Sequence, residues 1–331
     1  METKDVRVSI IIPVYNVAPY IGDCLRSVMR QTYAGSMECL LVDDCGEDDS
    51  MVIAEKMMAD YDGPIQFRIL RHERNRGLSA ARNTGTFAAV GDYLYYLDSD
   101  DEITDDCIEK LIQPVMEDPD IEMVQGNGYN YLSRGESIVI VKKVVLSLAK
   151  TIEDVRRCFY QYWQTDISVW NKLLKRRVII DNKILCKEGM LFEDSLWIFY
   201  LLKYVKKAAF VADITYHYKT RSQSITTNTN ERVKWYIYSM IYREIMNNLT
   251  PGYEQEECNY YARFIAAAYV SYVRMVPEYK EVLQLCQKKC KQYGSRFSRL
   301  VLAVSYILGK SSFGATVWDC LMWVKKMIPS H

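Results

Sequence analysis

The chain contains 331 residues, with 42 basic and 42 acidic side chains and a hydrophobic content of 49%. This composition is typical of a globular protein, and the length predicts about two domains of roughly 150 residues each. Because the start Met1–Arg7 is charged and the apolar run Val8–Val14 is short, we expect no opening signal peptide. No stretch reaches the roughly 20 apolar residues of a membrane span, and the scattered cysteines are typical of reduced thiols, so we expect a cytoplasmic protein.

Apolar runs and helical patterns alternate along the first hundred residues. The predicted strands are Val8–Val14, Cys39–Val42, Ile65–Leu70 and Tyr93–Leu97. The predicted helices between them are Tyr20–Gln31, Ser50–Tyr61 and Ser79–Ala89. This alternation predicts an α/β fold with a Rossmann-like, mostly parallel sheet flanked by helices.

Polar residues directly follow three of these strands. Asn16 follows the first strand, Asp43 and Asp44 follow the second, and Asp98–Asp101 follow the fourth. Ligands of parallel sheets bind at the carboxyl ends of the strands. The sequence therefore predicts a ligand site at this edge of the sheet.

The segment Asp98-Ser99-Asp100-Asp101 has the residue types of a divalent-metal site. Asp98 and Asp100 alternate along an extended chain and so point the same way. Their carboxylates are hard oxygen ligands suited to Mg²⁺ or Mn²⁺, which can neutralise charge on a departing nucleoside diphosphate. The alternative is a solvated turn in which Asp101 or Thr104 caps the next helix.

The pair Asp43-Asp44 carries a weaker signal. A carboxylate at this strand end can accept a hydrogen bond from a nucleobase N–H or from ribose hydroxyls. The alternative is a cap or turn, for which Gly46 and Asp48 supply the turn chemistry.

The segment Asn75–Gly85 is dominated by small residues, so a helix there can approach the sheet closely. Within it, Arg76 or Arg82 can meet phosphate or the nearby acids. The alternative for Arg82 is helix packing with one structural Arg–Asp pair.

Three segments form one pattern in order and spacing over about a hundred residues. They are Val8–Asn16 (VSIIIPVYN), Leu41–Ser50 (LVDDCGEDDS), and Asn75–Gly85 followed by Tyr95–Asp101 (YYLDSDD). Together they resemble the signature of glycosyltransferase family 2, a large inverting family with the GT-A fold. Cys45-Gly46 departs from the Gly-Ser that the family commonly has after the Asp pair, which affects loop detail rather than chemistry.

The resemblance implies a donor site for a nucleotide-sugar. Pro13, Tyr15 and Asp44 are expected to line the pocket for the base and ribose. Arg76 is expected near the nucleotide, and Ser99 is expected to contribute to the same donor site.

The resemblance also implies a cofactor, Mn²⁺ or Mg²⁺. Asp100 is expected to coordinate the metal, and Asp98 is expected to approach the metal or the ribose. His217 is a further candidate ligand, although a lone histidine is more often structural.

Later segments resemble the catalytic and acceptor side of bacterial members. Trp170-Asn171-Lys172 and Glu193 are expected on the acceptor side, and Asp194 is expected to be the catalytic base. Without the resemblance, helix capping would be the stronger interpretation of Glu193-Asp194. Arg221 and Ser224 match a segment that closes over the diphosphate.

The composition changes after Asn230, where tyrosine, tryptophan and methionine crowd helical stretches. We therefore predict a GT-A catalytic domain at residues 1–228 and a helical carboxyl-terminal region at residues 229–331. Within the catalytic domain, residues 1–101 are the expected nucleotide-binding half and residues 102–228 the expected acceptor-binding half.

The carboxyl-terminal region is basic, because Asp319 is its only acid from Val282 onward. The apolar stretches Leu300–Leu308 and Val317–Ile328 are flanked by lysines and arginines, a pattern that fits a helix lying in a membrane interface. The alternative is a helical appendage that packs on the catalytic domain or on a second subunit.

Together these features predict an inverting, metal-dependent glycosyltransferase of the hexosyl or N-acetylhexosaminyl class, bacterial in type. It would use a UDP-sugar to extend a surface polysaccharide on a saccharide or lipid-linked saccharide acceptor, in the cytoplasm or at the inner face of the cell membrane. No nucleic-acid partner is expected, and the sugar, the acceptor, the linkage and the oligomeric state are left open.

Two other functions compete with this prediction. The first is a non-catalytic nucleotide-sugar-binding or scaffold protein with the same fold, against which the intact Asp100 and Asp194 argue. The second is a nucleotidyltransferase, which is expected to carry a glycine- and lysine-rich phosphate loop near its first strand. The segment Val8–Tyr20 contains neither glycine nor lysine, so this rival is discounted.

Overall fold

The computed structural model describes residues 6–131, 137–141, 143–220 and 228–309. The chain divides into two compact units, Met1–Ser224 and Ile225–His331. The apolar stretch Val317–Ile328, predicted to lie in a membrane interface, falls outside the described residues.

The first unit is built on one mixed sheet. The strands in chain order are β1 Val8–Val14, β2 Met37–Asp43, β3 Gln66–Arg71, β4 Tyr93–Tyr96, β5 Glu102–Ile103, β6 Met123–Tyr131, β7 Ser137–Val139, β8 Leu148–Ala149, β9 Lys172–Lys175 and β10 Ala208–Lys219. Their order across the sheet is β3-β2-β1-β4-β9-β6-β10-β5, with β7 beside β6 and β8 beside β10. Neighbours among β1 to β4 run parallel, and β9 runs antiparallel between β4 and β6. The predicted α/β fold is therefore confirmed.

Helices cover this sheet. Those described in the first unit are α1 Ala18–Met29, α2 Ser50–Ala59, α3 Leu78–Ala88, α4 Cys107–Glu117, α5 Ile152–Tyr160, α6 Arg176–Asp181 and α7 Asp194–Leu201. The helix α1 shows why they form: proline stands in its first turn, and Ile21, Leu25 and Val28 recur at helical spacing on its buried side.

The strand β1 is buried along its whole length, because it lies between β2 and β4. This explains its continuous apolar run, which a half-exposed strand would not show. The chain passes from β1 outward to β2 and β3, then returns to the other side of β1 to form β4. Such a reversal of strand order opens a crevice for ligands at the carboxyl ends of the two strands.

The helix α3 lies close against β1, as its small residues predict. A Cβ atom on Gly85 would come within 2.4 Å of the Ile11 Cγ2 atom, so this position requires glycine. The residue before the helix, Gly77, has a φ of 88°, which glycine adopts at little cost. These two glycines fix how α3 approaches the sheet edge.

The second unit is helical in its described part. Its helices are α8 Glu231–Asn247, α9 Glu254–Tyr272, α10 Tyr279–Gln292 and α11 Arg296–Leu308. Aromatic residues fill their contacts, as where Trp235 stacks on Tyr272 with 3.9 Å between ring centroids. None of the described helices combines the length and apolar character needed to cross a bilayer.

Candidate functional site

The predicted polar residues meet at one edge of the sheet. Parallel pairing places the end of β1 beside the end of β2, with Val14 opposite Asp43. The Asp44 N–H continues this pairing by donating to the Val14 carbonyl oxygen at 3.0 Å. On the other side of β1, the Leu97 N–H donates to the Ile11 carbonyl oxygen at 3.1 Å. The segments after β1, β2 and β4 therefore leave the sheet side by side.

Asp44 is bonded within the chain. Its carboxylate is only 3% exposed, and it accepts hydrogen bonds from the N–H groups of Arg76 and Gly77, each at 2.8 Å. The same carboxylate lies 2.6 Å from the Nδ1 atom of His72. With its oxygens buried and bonded within the chain, Asp44 positions the loop before α3. The expected contact of Asp44 with the base or ribose stays a prediction beside this positioning role.

Tyr15 and Arg76 are accessible on the donor side. Tyr15 comes directly after β1 and is 46% exposed, whereas Pro13 is buried in the strand. Arg76 is exposed, and its guanidinium lies 3.2 Å from the carboxylate of Glu188. An aromatic ring and a cation thus stand at the strand ends where a nucleotide is expected. The proposed roles of Pro13, Tyr15 and Arg76 stay predictions.

A buried arginine joins two of the predicted motifs. The Arg82 side chain is 4% exposed, and its guanidinium lies 2.6 Å from a carboxylate oxygen of Asp98 and 2.6 Å from one of Glu193. The predicted structural Arg–Asp pair is therefore present, and it extends to a second acid that the sequence did not assign to it. Arg82 connects the segment after β4 with the residue that precedes α7.

The Asp98–Asp101 segment concentrates negative charge. Burial and the nearby charges of Asp100 and Asp98 raise the pKa of Asp101 well above its ordinary value. Asp101 itself is held within the chain, because it accepts hydrogen bonds from the Tyr216 hydroxyl and the Lys219 N–H. Asp98 and Asp100 keep partial exposure, whereas Ser99 is buried.

The donor chemistry of this segment fits a divalent metal. Among the described residues, no group of three or more His, Cys, Asp and Glu side chains is arranged to hold a metal ion. Mg²⁺ usually takes one or two carboxylates and completes its coordination with water and substrate phosphates. The partly exposed carboxylates of Asp98 and Asp100, in a neighbourhood of excess negative charge, match that requirement.

His217 has a hydrogen-bonding partner on β6. Alternation along β10 places Tyr216 and Tyr218 on one face, where both stack on Trp170, and His217 on the other face. Its Nδ1 atom lies 2.9 Å from the hydroxyl of Tyr131. The expectation that His217 ligates the metal gains no support from this contact and stays a prediction. Arg221 and Ser224, expected at the diphosphate, lie outside the described residues.

Asp194 has the properties of a general base near neutral pH. It is the first residue of α7, and its carboxylate accepts a hydrogen bond from the Ser195 N–H at 2.8 Å. Burial, followed by the neighbouring negative charge of Glu193, raises the pKa of Asp194 to about 7, although Arg82 opposes the shift. The residue as a whole keeps partial exposure, whereas its carboxyl group is surrounded by protein, which is the burial that raises its pKa. A base is most effective when its pKa lies near the working pH.

Three residues expected to contact the acceptor are buried instead. Glu193 is paired with Arg82, as described above. Asn171 donates a hydrogen bond to the Asn127 carbonyl oxygen at 3.0 Å, and the Lys172 ammonium lies 2.6 Å from an Asp166 carboxylate oxygen. These side chains are bonded within the chain and position its loops, and their expected contact with the acceptor stays a prediction.

Trp170 is half-buried, so part of the indole ring meets solvent. Its ring stacks on Tyr216 with 4.3 Å between centroids and an angle of 11° between the planes. The packing partner of Trp170 is thus known, and its expected contact with an acceptor sugar stays a prediction.

Backbone strain marks the loops of the acceptor side. Trp163, Asn171 and Phe192 have φ values of 54°, 55° and 58°. Asparagine tolerates this left-handed conformation, but large aromatic residues adopt it rarely, at a cost of about 1–3 kcal/mol. Phe192 stands two residues before Asp194, so the strain lies beside the proposed base.

The sequence patterns do not indicate which residues hold the loop before α3 and the loop that contains Cys186. His72 lies between the Asp44 carboxylate and the Thr84 hydroxyl, and Asn83 exchanges two hydrogen bonds with the backbone of Cys186. In the sequence, only the position of His72 indicates such a role, because it directly follows β3 at the same sheet edge. Its partners depend on the folded arrangement of α3.

Comparison with known proteins gives a consistent result. A family model described as Glycosyl transferase family 2 matches residues 9–181. Glycosyltransferase GlyG of Streptococcus pneumoniae is 28% identical over 290 residues, which is 85% of this chain and 90% of GlyG. Glycosyltransferase GlyA of the same organism is 30% identical over 239 residues, which is 70% of this chain but only 33% of GlyA.

The fold also matches a solved structure. The crystal structure of S. aureus TarS 1-349 in complex with UDP-GlcNAc superposes with a TM-score of 0.72 at 19% sequence identity. The match covers 93% of this chain and 91% of the TarS chain. The predicted GT-A fold with carboxyl-terminal helices is thereby confirmed.

Proposed function

The chain belongs to glycosyltransferase family 2, and from this premise we propose that it transfers a sugar from a nucleotide-sugar donor with inversion at the anomeric carbon. The observation that carries the proposal is the state of Asp194. Asp194 has a pKa of about 7 and keeps partial exposure. It directly follows Glu193, which is paired with Arg82. These properties suit a base that works at neutral pH.

The proposed reaction is a single displacement. Asp194 takes the proton of an acceptor hydroxyl while the hydroxyl oxygen attacks the anomeric carbon of the donor sugar. The bond from that carbon to the diphosphate oxygen breaks on the opposite face, and the nucleoside diphosphate leaves with the bonding electrons. Arg82 holds Glu193 beside the base, so the base loop keeps its position relative to Asp98.

The donor side supplies nucleotide binding. Tyr15 offers an exposed ring on which a base can stack, and Arg76 offers a guanidinium for phosphate. Asp98 and Asp100 would hold Mn²⁺ or Mg²⁺, which neutralises charge on the leaving diphosphate when it is bound. A UDP-sugar is the donor to test first, because TarS 1-349 was crystallised with UDP-GlcNAc.

The proposed acceptor is a saccharide or a lipid-linked saccharide of a surface polysaccharide. The strained, partly exposed loop that carries Asp194 is where we place its reacting hydroxyl. We propose a cytoplasmic place of action, because the described cysteines are free thiols. Attachment to the inner face of the membrane would bring a lipid-linked acceptor within reach.

The test is titration calorimetry with UDP and with GDP, each with and without Mn²⁺, followed by donor hydrolysis and transfer assays with UDP-sugars. Binding of UDP that requires Mn²⁺, together with transfer that is lost in Asp194→Asn, supports the proposal. A well-folded protein that binds neither nucleotide would favour the scaffold alternative. Nucleotide binding without transfer in any UDP-sugar screen would favour a non-catalytic nucleotide-sugar-binding protein.

A further inference from the structure

The helix α11 buries two serines beside Leu302 and exposes large apolar residues on its other side. Ser298 and Ser305 are buried, and their hydroxyls donate hydrogen bonds back to carbonyl oxygens of their own segment. On the other side of the helix, Leu300 is 60% exposed and Ile307 is 68% exposed. A helix that meets only protein and water usually turns its large apolar residues toward the protein.

The exposed apolar residues form one continuous stripe. Four apolar residues lie on the same helix face, because they are spaced by three, one and three positions. They are Leu300, Ala303, Val304 and Ile307. Ala303 is exposed and Val304 partly exposed. We call these four residues the α11 stripe. A contiguous apolar surface of this kind marks an interaction site more often than a solvated face.

The segment that carries the α11 stripe is basic in sequence. Between Val282 and Gly309 the sequence contains five basic residues and no aspartate or glutamate. The exposed members of this set are Lys288, Lys291, Arg296 and Arg299. The surface therefore combines an apolar strip with basic side chains, which is the pattern of a helix that lies on an anionic membrane.

We infer that the α11 stripe docks onto an anionic lipid surface, with its apolar side chains among the acyl chains and Arg296 and Arg299 at the phosphate headgroups. The positive charge of this surface disfavours two other binding partners, a second copy of the chain and the chain's own carboxyl-terminal segment. A second copy of the chain would bring the same basic surface against itself. The chain's own segment 310–331 carries Lys310, Lys325 and Lys326 against the single acid Asp319, so it too would be repelled.

The experiment is flotation of the full chain with vesicles of phosphatidylcholine alone and with vesicles that also contain phosphatidylglycerol. We expect at least about tenfold more protein on the anionic vesicles, and a decrease as salt screens the basic residues. The double variant Leu300→Glu/Ile307→Glu is expected to lose most of this binding. The matched control is Met240→Glu, which changes a 42% exposed side chain on α8 and should bind like the parent.

Circular dichroism and thermal unfolding establish that each variant is folded before it is compared. Equal flotation of the double variant and the parent, or no preference for anionic vesicles, overturns the inference. Sedimentation velocity that shows a dimer broken by Ile307→Glu, without vesicle binding, assigns the stripe to a second copy. Vesicle binding that appears only after removal of residues 310–331 assigns it to the chain's own end. Vesicle binding needs neither donor nor acceptor, so its failure leaves the proposed transfer reaction standing.

Discussion

Arg82 and Glu193 form a buried ion pair, with 2.6 Å between the Nη1 and Oε1 atoms, across 111 residues of sequence. The same guanidinium holds Asp98 at 2.6 Å. One side chain of α3 thus ties the acidic segment after β4 to the residue that precedes Asp194. The relative position of the proposed metal ligands and the proposed base depends on this one arginine.

Replacing Arg82 with methionine is expected to destabilise the protein by about 3–5 kcal/mol. The substitution leaves the buried carboxylate of Glu193 and the partly exposed carboxylate of Asp98 without their cation, which is the costly way to break an ion pair. The measurement is urea unfolding followed by circular dichroism. Arg82→Lys keeps one positive charge and should recover part of the loss.

The control for this prediction is Arg76→Met. Arg76 pairs with Glu188 on the surface, where both side chains are close to half exposed, so its loss should cost only about 0–1 kcal/mol. Equal destabilisation by the two substitutions would contradict the role given to Arg82.

Asp194→Asn is expected to lower the rate of sugar transfer by about 10²–10⁴-fold, because the acceptor hydroxyl then has no positioned base. The variant should still bind UDP, since the donor side is unchanged. Single-turnover transfer and calorimetry with UDP check the two halves of this prediction. Transfer at the parental rate would place the base on another residue.

The rate of transfer is expected to rise with pH, with a midpoint near 7, because only ionised Asp194 accepts the proton. Glu193→Gln removes the adjacent negative charge that helps to raise this pKa, so the midpoint should move to lower pH. A midpoint that does not move would show that Glu193 has no influence on the base.

The raised pKa of Asp194 also affects the free energy of unfolding. The folded pKa of Asp194 lies above the unfolded value near 3.9, so the folded state binds more protons, and stability is lost as pH rises from about 4 to about 7. Asp194→Asn should remove this loss and raise the unfolding temperature at pH 8 relative to the parent, but not at pH 4. Thermal unfolding of both proteins at the two pH values checks the sign.

Asp100→Asn is expected to abolish the effect of Mn²⁺ on UDP binding while the protein remains folded. One carboxylate of the proposed pair is then lost, and the phosphates cannot hold the cation by themselves. Calorimetry with and without Mn²⁺ measures the change. Asp105→Asn is the control, because Asp105 is exposed and pairs with Arg30 instead; an equal effect of both substitutions would refute the metal assignment.

Tyr15→Ala is expected to weaken UDP binding by about 1–3 kcal/mol, the range measured when an aromatic ring that stacks on a base is removed. Tyr15→Phe keeps the ring and should bind almost as the parent does. The dissociation constant for UDP, measured without a donor sugar, distinguishes the two variants. Unchanged binding by Tyr15→Ala would remove Tyr15 from the base pocket.

The sheet at the centre of the site could be predicted from the sequence. The strand β1 runs over the seven residues of its apolar stretch, and the strands β2, β3 and β4 match the predicted ones within one or two residues. Burial on both faces produces an apolar run that is visible in any window of the sequence. The placement of Asp98–Asp101 at the end of β4 follows directly from that run.

The roles of individual polar residues could not be predicted in the same way. Asp44, Asn171, Lys172 and Glu193 are buried and bonded to partners that lie far along the chain or in a neighbouring loop. A polar residue beside a strand end has the same appearance in the sequence whether it faces a ligand or braces a loop.

The sequence alone therefore determined the order of strands and helices over the first hundred residues, the sheet edge that carries the candidate site and the identity of its acids, because periodicity and strand termini are local properties. The tertiary structure alone decided which of those acids face solvent and which are held by Arg82, His72 or a backbone amide. That decision depends on the docking of α3 and the base loop against the sheet, a contact between residues about a hundred positions apart that no local pattern encodes.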